Sequence, residues 1–229
     1  MFVGGRIEPG AYPSVPESYL LTNDKGSFIN ATANHSTELA NLGMITDGVV
    51  MDYDQDGYQD LMLVGEWMRP SFMRNKSGKG LEIVDMESQP GNGWWQSMLS
   101  HDFDQDEKSE LVFGNLGLNT KHKASEDKPF HIYASDFDND NVFDAFLAKN
   151  IGGREVPVRG RECSSQQMPQ IAERFKTFDS FAKANIDEIL GEQMEGALHL
   201  SVTTFETEYW RPTDNGWVQS SLQREVNFS

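Results

Sequence analysis

The feature that most limits what this chain can fold into is a nine-residue acidic segment that occurs three times. The first is Asp52-Tyr53-Asp54-Gln55-Asp56-Gly57-Tyr58-Gln59-Asp60. The second is Asp102-Phe103-Asp104-Gln105-Asp106-Glu107-Lys108-Ser109-Glu110, and the third is Asp136-Phe137-Asp138-Asn139-Asp140-Asn141-Val142-Phe143-Asp144. Each carries a carboxylate at positions 1, 3, 5 and 9 and an aromatic ring at position 2. Four carboxylates within nine residues repel one another unless a cation lies among them. Ca²⁺ is the expected cation, a hard ion that takes six to eight oxygens in flexible geometry.

The expected ligands follow from position. Side chains come from Asp52, Asp54, Asp56 and Asp60 in the first loop, and from Asp102, Asp104, Asp106 and Glu110 in the second. In the third they come from Asp136, Asp138, Asp140 and Asp144. Position 7 adds the backbone carbonyls of Tyr58, Lys108 and Val142. Up to three Ca²⁺ are expected. Gly57 and Asn141 at position 6 suit a left-handed turn, whereas Glu107 resists one. The second site is therefore expected to be the weakest. An EF-hand is excluded, because it needs a bidentate Glu at position 12 and flanking helices. Position 12 here is Leu63, Phe113 and Leu147.

The flanks predict strands. Gly48-Val49-Val50-Met51 precedes the first loop and Leu61-Met62-Leu63-Val64 follows it, short apolar runs suited to burial in a sheet. A hydrophobic-glycine step recurs at Val3-Gly4, Val64-Gly65 and Phe113-Gly114. Three further segments read as strand, turn, strand: Tyr19 to Phe28, Ser71 to Gly80 and Glu208 to Trp217. Repeats of about 40–50 residues with four strands each indicate propeller blades. The expected fold class is all-β, with about three to four four-stranded antiparallel blades. The third loop follows the second too closely for a full repeat, so whether it starts its own blade stays open. Met168 to Leu190 departs from the pattern. It carries Ile171, Phe175, Phe178, Ala182, Ile186 and Ile189 at helical spacing, with Pro169 near its start and Gly191 at its stop. It predicts a short helical insertion, about residues 165–191, with its apolar face on a sheet.

Composition narrows the partners. The formal net charge is −17, which disfavours nucleic acid and anionic membrane surfaces. No apolar run reaches the length of a membrane-spanning helix. Cys163 is the only cysteine, so no internal disulfide can form.

Calcium loops set between strands and followed by a hydrophobic-glycine step resemble the FG-GAP and VCBS repeats of integrin-alpha-like β-propellers. Gly65-Glu66-Trp67-Met68, Gly114-Asn115-Leu116-Gly117-Leu118-Asn119 and the long string Gly160 to Pro169 resemble bacterial secreted repeat proteins related to cartilage acidic protein. Such proteins commonly carry an ASPIC/UnbV module, and none is visible here. The Gly-Ala-Pro half of the repeat name is missing after Phe113-Gly114. The resemblance spans nearly the whole chain, residues 1–229. It implies an extracellular or cell-surface module for protein or glycan binding, or for adhesion. Its alternatives are the non-catalytic propeller of a secreted polysaccharide-degrading enzyme and a structural scaffold in a larger surface assembly. The chain opens and stops inside the repeat pattern, so further blades or neighbouring chains are expected to close the ring.

No enzyme is expected. The five histidines form no metal-spaced helical pair, and no nucleophile elbow, P-loop or dinucleotide glycine fingerprint appears. Trp67, Trp94, Trp95, Trp210 and Trp217 could form a sugar platform or pack between blades. Packing is the commoner use of such residues.

Overall fold

The structure, a computed structural model, describes residues 1–86, 88–214, 216–220 and 222. In chain order the strands begin with β1 (Phe2–Val3), β2 (Tyr19–Asp24), β3 (Ser27–Asn30), β4 (Met44–Met51) and β5 (Asp60–Met68). They continue with β6 (Ser71–Asn75), β7 (Leu81–Val84), β8 (Gly93–Trp94), β9 (Ser97–His101), β10 (Glu110–Gly114) and β11 (Phe130–Ser135). The last are β12 (Asp144–Ile151), β13 (Arg154–Pro157), β14 (Leu198–Val202), β15 (Glu208–Thr213) and β16 (Gly216–Ser220). The α-helices are α1 (Thr32–His35), α2 (Arg161–Gln167), α3 (Gln170–Arg174), α4 (Phe178–Lys183) and α5 (Ile186–Leu190).

The chain divides into two compact units. The first comprises Met1–Arg6, Val15–Lys121 and Thr204–Ser229, and the second Ile7–Ser14 and His122–Thr203. The fold is mostly β, and its sheets are antiparallel. The first unit holds three of them: β1-β2-β3; β4-β5-β6-β7, with β8 also pairing β5; and β16-β15-β10-β9. The second unit holds the order β13-β12-β11-β14.

Strand β5 explains the first unit's core. All its residues from Asp60 to Trp67 are buried, and its alternating side chains feed two clusters. Leu61 and Leu63 pack with Leu39, Ile45 and Met73. Met62 and Val64 pack on the other face with Phe72, Trp95, Met98, Leu111, Phe113, Trp210 and Trp217. That second cluster joins the β5 sheet to the β10 sheet. Each such side chain contributes about 1.5–3 kcal/mol when fully buried. The run before the first loop behaves differently from the run after it. It forms β4, an edge strand, and Val50 is 62% exposed. The three expected strand-turn-strand segments all fold as hairpins, β2-β3, β6-β7 and β15-β16.

The hydrophobic-glycine step has a steric cause. A Cβ on Gly65 would lie 2.2 Å from the carbonyl oxygen of Met44 on the paired strand, and one on Gly114 would lie 2.4 Å from Ser97 Oγ. At Gly65 the neighbouring backbone leaves no room for a side chain, whereas at Gly114 the crowding atom is the Ser97 hydroxyl, with the Ser97 backbone 3.6 Å away.

The helical insertion is a run of short helices, not one. The residue before Pro169 is extended, which ends α2. Thr177 then restarts the chain as a cap, its Oγ1 accepting the Ser180 N–H at 3.1 Å. Glu188 caps α5 by accepting the Asn185 N–H at 2.8 Å. Each restart resets the helical phase. Phe178 and Ala182, expected on the apolar face, are exposed, and Phe181 and Ala184 are buried instead. These pack with Met168, Ile171, Ile186, Ile189 and Leu190 against Tyr133, Phe146 and Ala148 of the sheet and Phe137 of the third acidic segment.

Candidate metal centres

Each acidic segment is the connection between two adjacent antiparallel strands. The first joins β4 to β5, the second β9 to β10, and the third β11 to β12. The third thus lies in a different sheet from the second.

One hydrogen-bond pattern recurs in all three. The position-1 carboxylate accepts two backbone N–H groups, from positions 5 and 6. Asp52 accepts from Asp56 at 3.0 Å and Gly57 at 2.9 Å, and Asp102 from Asp106 at 3.1 Å and Glu107 at 3.0 Å. Asp136 accepts from Asp140 and Asn141, both at 3.0 Å. The position-5 carboxylate accepts the N–H of position 7: Tyr58 to Asp56, Lys108 to Asp106, Val142 to Asp140. The position-9 carboxylate reaches back to the N–H of the aromatic at position 2. These bonds are Tyr53 to Asp60 at 3.2 Å, Phe103 to Glu110 at 2.7 Å and Phe137 to Asp144 at 3.3 Å.

The turn that brings these groups together needs two left-handed residues. Position 6 is one, and Glu107 adopts it at φ 69° despite its side chain, as Gly57 does at 89° and Asn141 at 68°. Position 4 is the other, with Gln55 at 59°, Gln105 at 63° and Asn139 at 61°. Sequence reasoning missed position 4. Asn139 is a residue type that tolerates that conformation, but glutamine carries no such signal.

The carboxylates converge. Asp52, Asp54 and Asp60 bring one oxygen each within 4.8 Å of one another, and so do Asp136, Asp138 and Asp144. In the second loop four converge: Asp102, Asp104, Asp106 and Glu110. Asp56 and Asp140 fall outside their clusters. The loop expected to be weakest is thus the one that gathers the most oxygens.

The position-9 acids set the electrostatics. Asp60 and Glu110 are each 1% exposed and Asp144 5%. Burial pushes the Asp144 carboxyl up to about 6; the Phe137 N–H pulls it down, and the neighbouring Asp138, Asp140 and Asp136 charges raise it further. Burial also raises Asp60, against the N–H groups of Asn75 and Tyr53. Asp138 Oδ1 is buried with no hydrogen-bond partner. A buried, unpartnered carboxylate oxygen among like charges is costly, and a cation removes that cost. These clusters can hold metal ions.

Other singled-out residues lie elsewhere. Trp67, Trp95, Trp210 and Trp217 are buried at 0–7% exposure, so they build core. Cys163 is exposed on α2. His101 packs edge-on against Phe103 of the second loop, ring centroids 5.1 Å apart. Among protein-family descriptions, curated proteins and solved structures, none matches this chain.

Proposed function

We propose that this chain is a calcium-binding segment of an integrin-alpha-like β-propeller, of the FG-GAP/VCBS type, in an extracellular or cell-surface protein. Its sheets serve as blades, and its task is to bind a protein or glycan, as in adhesion. One observation carries the reading: the same loop, with the same three classes of hydrogen bond, closes a strand pair in three places. The clustered donors are carboxylate oxygens. Such a set suits a hard cation, and irregular loops of this kind suit Ca²⁺ better than Mg²⁺, which demands rigid octahedral geometry. The proposed ligands are the three carboxylates of the first and third clusters and the four of the second, with Asp56, Asp140 and the position-7 carbonyls completing the shells.

A binding role is supported by a groove of about 710 Å³ in the first unit. Asp52, Tyr53 and Gln55 of the first loop line it, and so do Glu107 and Lys108 of the second. An ion that rigidifies either loop fixes a wall of that groove. The chain's own residues bind and orient; no catalytic step is assigned to them.

Extracellular calcium modules bind at about 10⁻⁴–10⁻³ M. At ~2 mM Ca²⁺ and a dissociation constant of ~0.1 mM, each site adds about 1.8 kcal/mol. Three sites add about 5 kcal/mol, comparable to the whole stability of many domains. Thermal melts in Ca²⁺ and in EDTA test this. A large rise in Tm with Ca²⁺ is expected, and superimposable melts would end the proposal.

A further inference from the structure

The second unit carries a group of titratable side chains that the loops do not use. His131 and Tyr133 lie two apart on β11 and face the same side of the sheet. His199 on β14 stands directly opposite Tyr133 in register, and the two rings stack with centroids 4.3 Å apart at 10°. His131 Nδ1 faces His199 Nε2 at 2.9 Å. The other nitrogen of His131, Nε2, faces Glu155 Oε2 on β13 at 4.0 Å. Ala148, opposite His131 on the intervening strand β12, is small enough to let Glu155 reach across. Tyr133 donates its hydroxyl to Glu155. The remaining oxygen, Glu155 Oε1, is buried and unpartnered.

We propose that His131 Nδ1 and His199 Nε2 together bind a divalent transition-metal ion, with Glu155 as the carboxylate that orients His131. Three observations carry it. Two imidazole nitrogens 2.9 Å apart span a cis angle of about 90° at metal–nitrogen distances of about 2.0–2.1 Å. That angle belongs to tetragonal or octahedral ions such as Ni²⁺ and Cu²⁺; tetrahedral zinc would need the nitrogens about 3.3 Å apart. A ligating histidine typically gives its second N–H to a carboxylate, which fixes its tautomer; Glu155 Oε2 faces His131 Nε2 at 4.0 Å, ion-pair rather than hydrogen-bond distance. His199 is exposed, so solvent fills the remaining coordination positions. The donors are nitrogen, unlike the all-oxygen loops, so the two kinds of site select different metals.

The test is a calorimetric titration of the full chain with Ni²⁺ in excess Ca²⁺, which keeps the loops out of the measurement. One Ni²⁺ per chain is expected. His199→Gln, at an exposed position that leaves the fold intact, should weaken binding at least about tenfold, as should His131→Gln. Glu155→Gln keeps both ligands and should weaken it by about 10–100-fold through lost orientation. Absence of Ni²⁺ binding to the wild type, or equal binding by His199→Gln, overturns the proposal and leaves a plain imidazole–imidazole hydrogen bond. The readout is the Ni²⁺ binding that His131→Gln and His199→Gln remove, so binding to unfilled loops, which both variants keep, is told apart from it.

Discussion

Glu208, at the start of β15, shows how burial acts on a single residue. It is 6% exposed, and its Oε2 accepts the Trp210 Nε1–H at 2.8 Å. Burial pushes its carboxyl up from 4.5 to about 6; the Trp210 hydrogen bond opposes this and the Glu206 charge adds to it. The fold therefore holds this proton more tightly than the unfolded chain does. Its contribution is fully present below pH of about 4.5 and is lost as pH rises through about 6. The loss amounts to at most about 2 kcal/mol, from the size of the shift. Glu208→Gln keeps an acceptor for Trp210 and removes the charge. Relative to wild type, the variant should gain stability between pH 4.5 and 7, measured by urea melts at each pH. A difference that does not change with pH would contradict this. Nothing in the sequence marks Glu208 out from the other acidic residues, because its burial comes from strands paired across long separations.

At the scale of one element, the loops and the strand pair beside them give two expectations. Position 6 alone ranks the second loop last, since Glu107 pays for its left-handed backbone by about 1 kcal/mol. Convergence ranks it first, because four carboxylates already gather there, whereas Asp56 and Asp140 must move to join the three in each of the others. Ligand charge count and site rigidity set affinity for a hard ion. Calorimetry on Asp54→Ala, Asp104→Ala and Asp138→Ala should therefore show that Asp104→Ala removes the tightest site; loss of the tightest site in Asp54→Ala would restore the order from position 6. The second expectation concerns Gly65. Its added Cβ would meet the Met44 carbonyl at 2.2 Å and Met68 Sδ at 2.7 Å. The sulfur can move, but the carbonyl is held by the β4-β5 ladder. Gly65→Ala should cost about 1–3 kcal/mol by overpacking, read from the denaturant midpoint. An unchanged midpoint would mean that β4 yields freely.

At the scale of the molecule, one sheet is built from distant parts of the chain. β10 and β15 pair directly, Val112 opposite Tyr209, and the segment between them includes most of the second unit. The first unit's side of this break is closed by local bonds: Gly117 N–H to the Phe205 carbonyl at 2.9 Å and Asn115 N–H to Thr207 Oγ1 at 3.3 Å. Closing such a gap with a shorter loop costs little entropy. Replacing residues 122–203 by a short Gly/Ser linker should leave a first unit that melts cooperatively and takes two Ca²⁺ instead of three. Loss of cooperative melting would show that the first unit does not stand without the replaced segment.

The acidic loops were legible in the sequence because their chemistry is local. Side chains at positions 1, 3, 5 and 9 are fixed relative to one another by nine residues of backbone, so spacing alone places them on one turn. The hairpins β2-β3, β6-β7 and β15-β16 were legible for the same reason. The helical insertion from Met168 to Leu190 was legible as helical, but its buried face was not, since caps at Thr177 and Asn185 reset a phase that periodicity assumes continuous. The tertiary structure alone decided the rest. Which carboxylates converge depends on the backbone path through positions 4 and 6. The pairing of β10 with β15, and of His131 with His199, joins residues whose separation along the chain carries no signal. Such contacts arise from strand register, and register is set by whole buried faces rather than by any one residue.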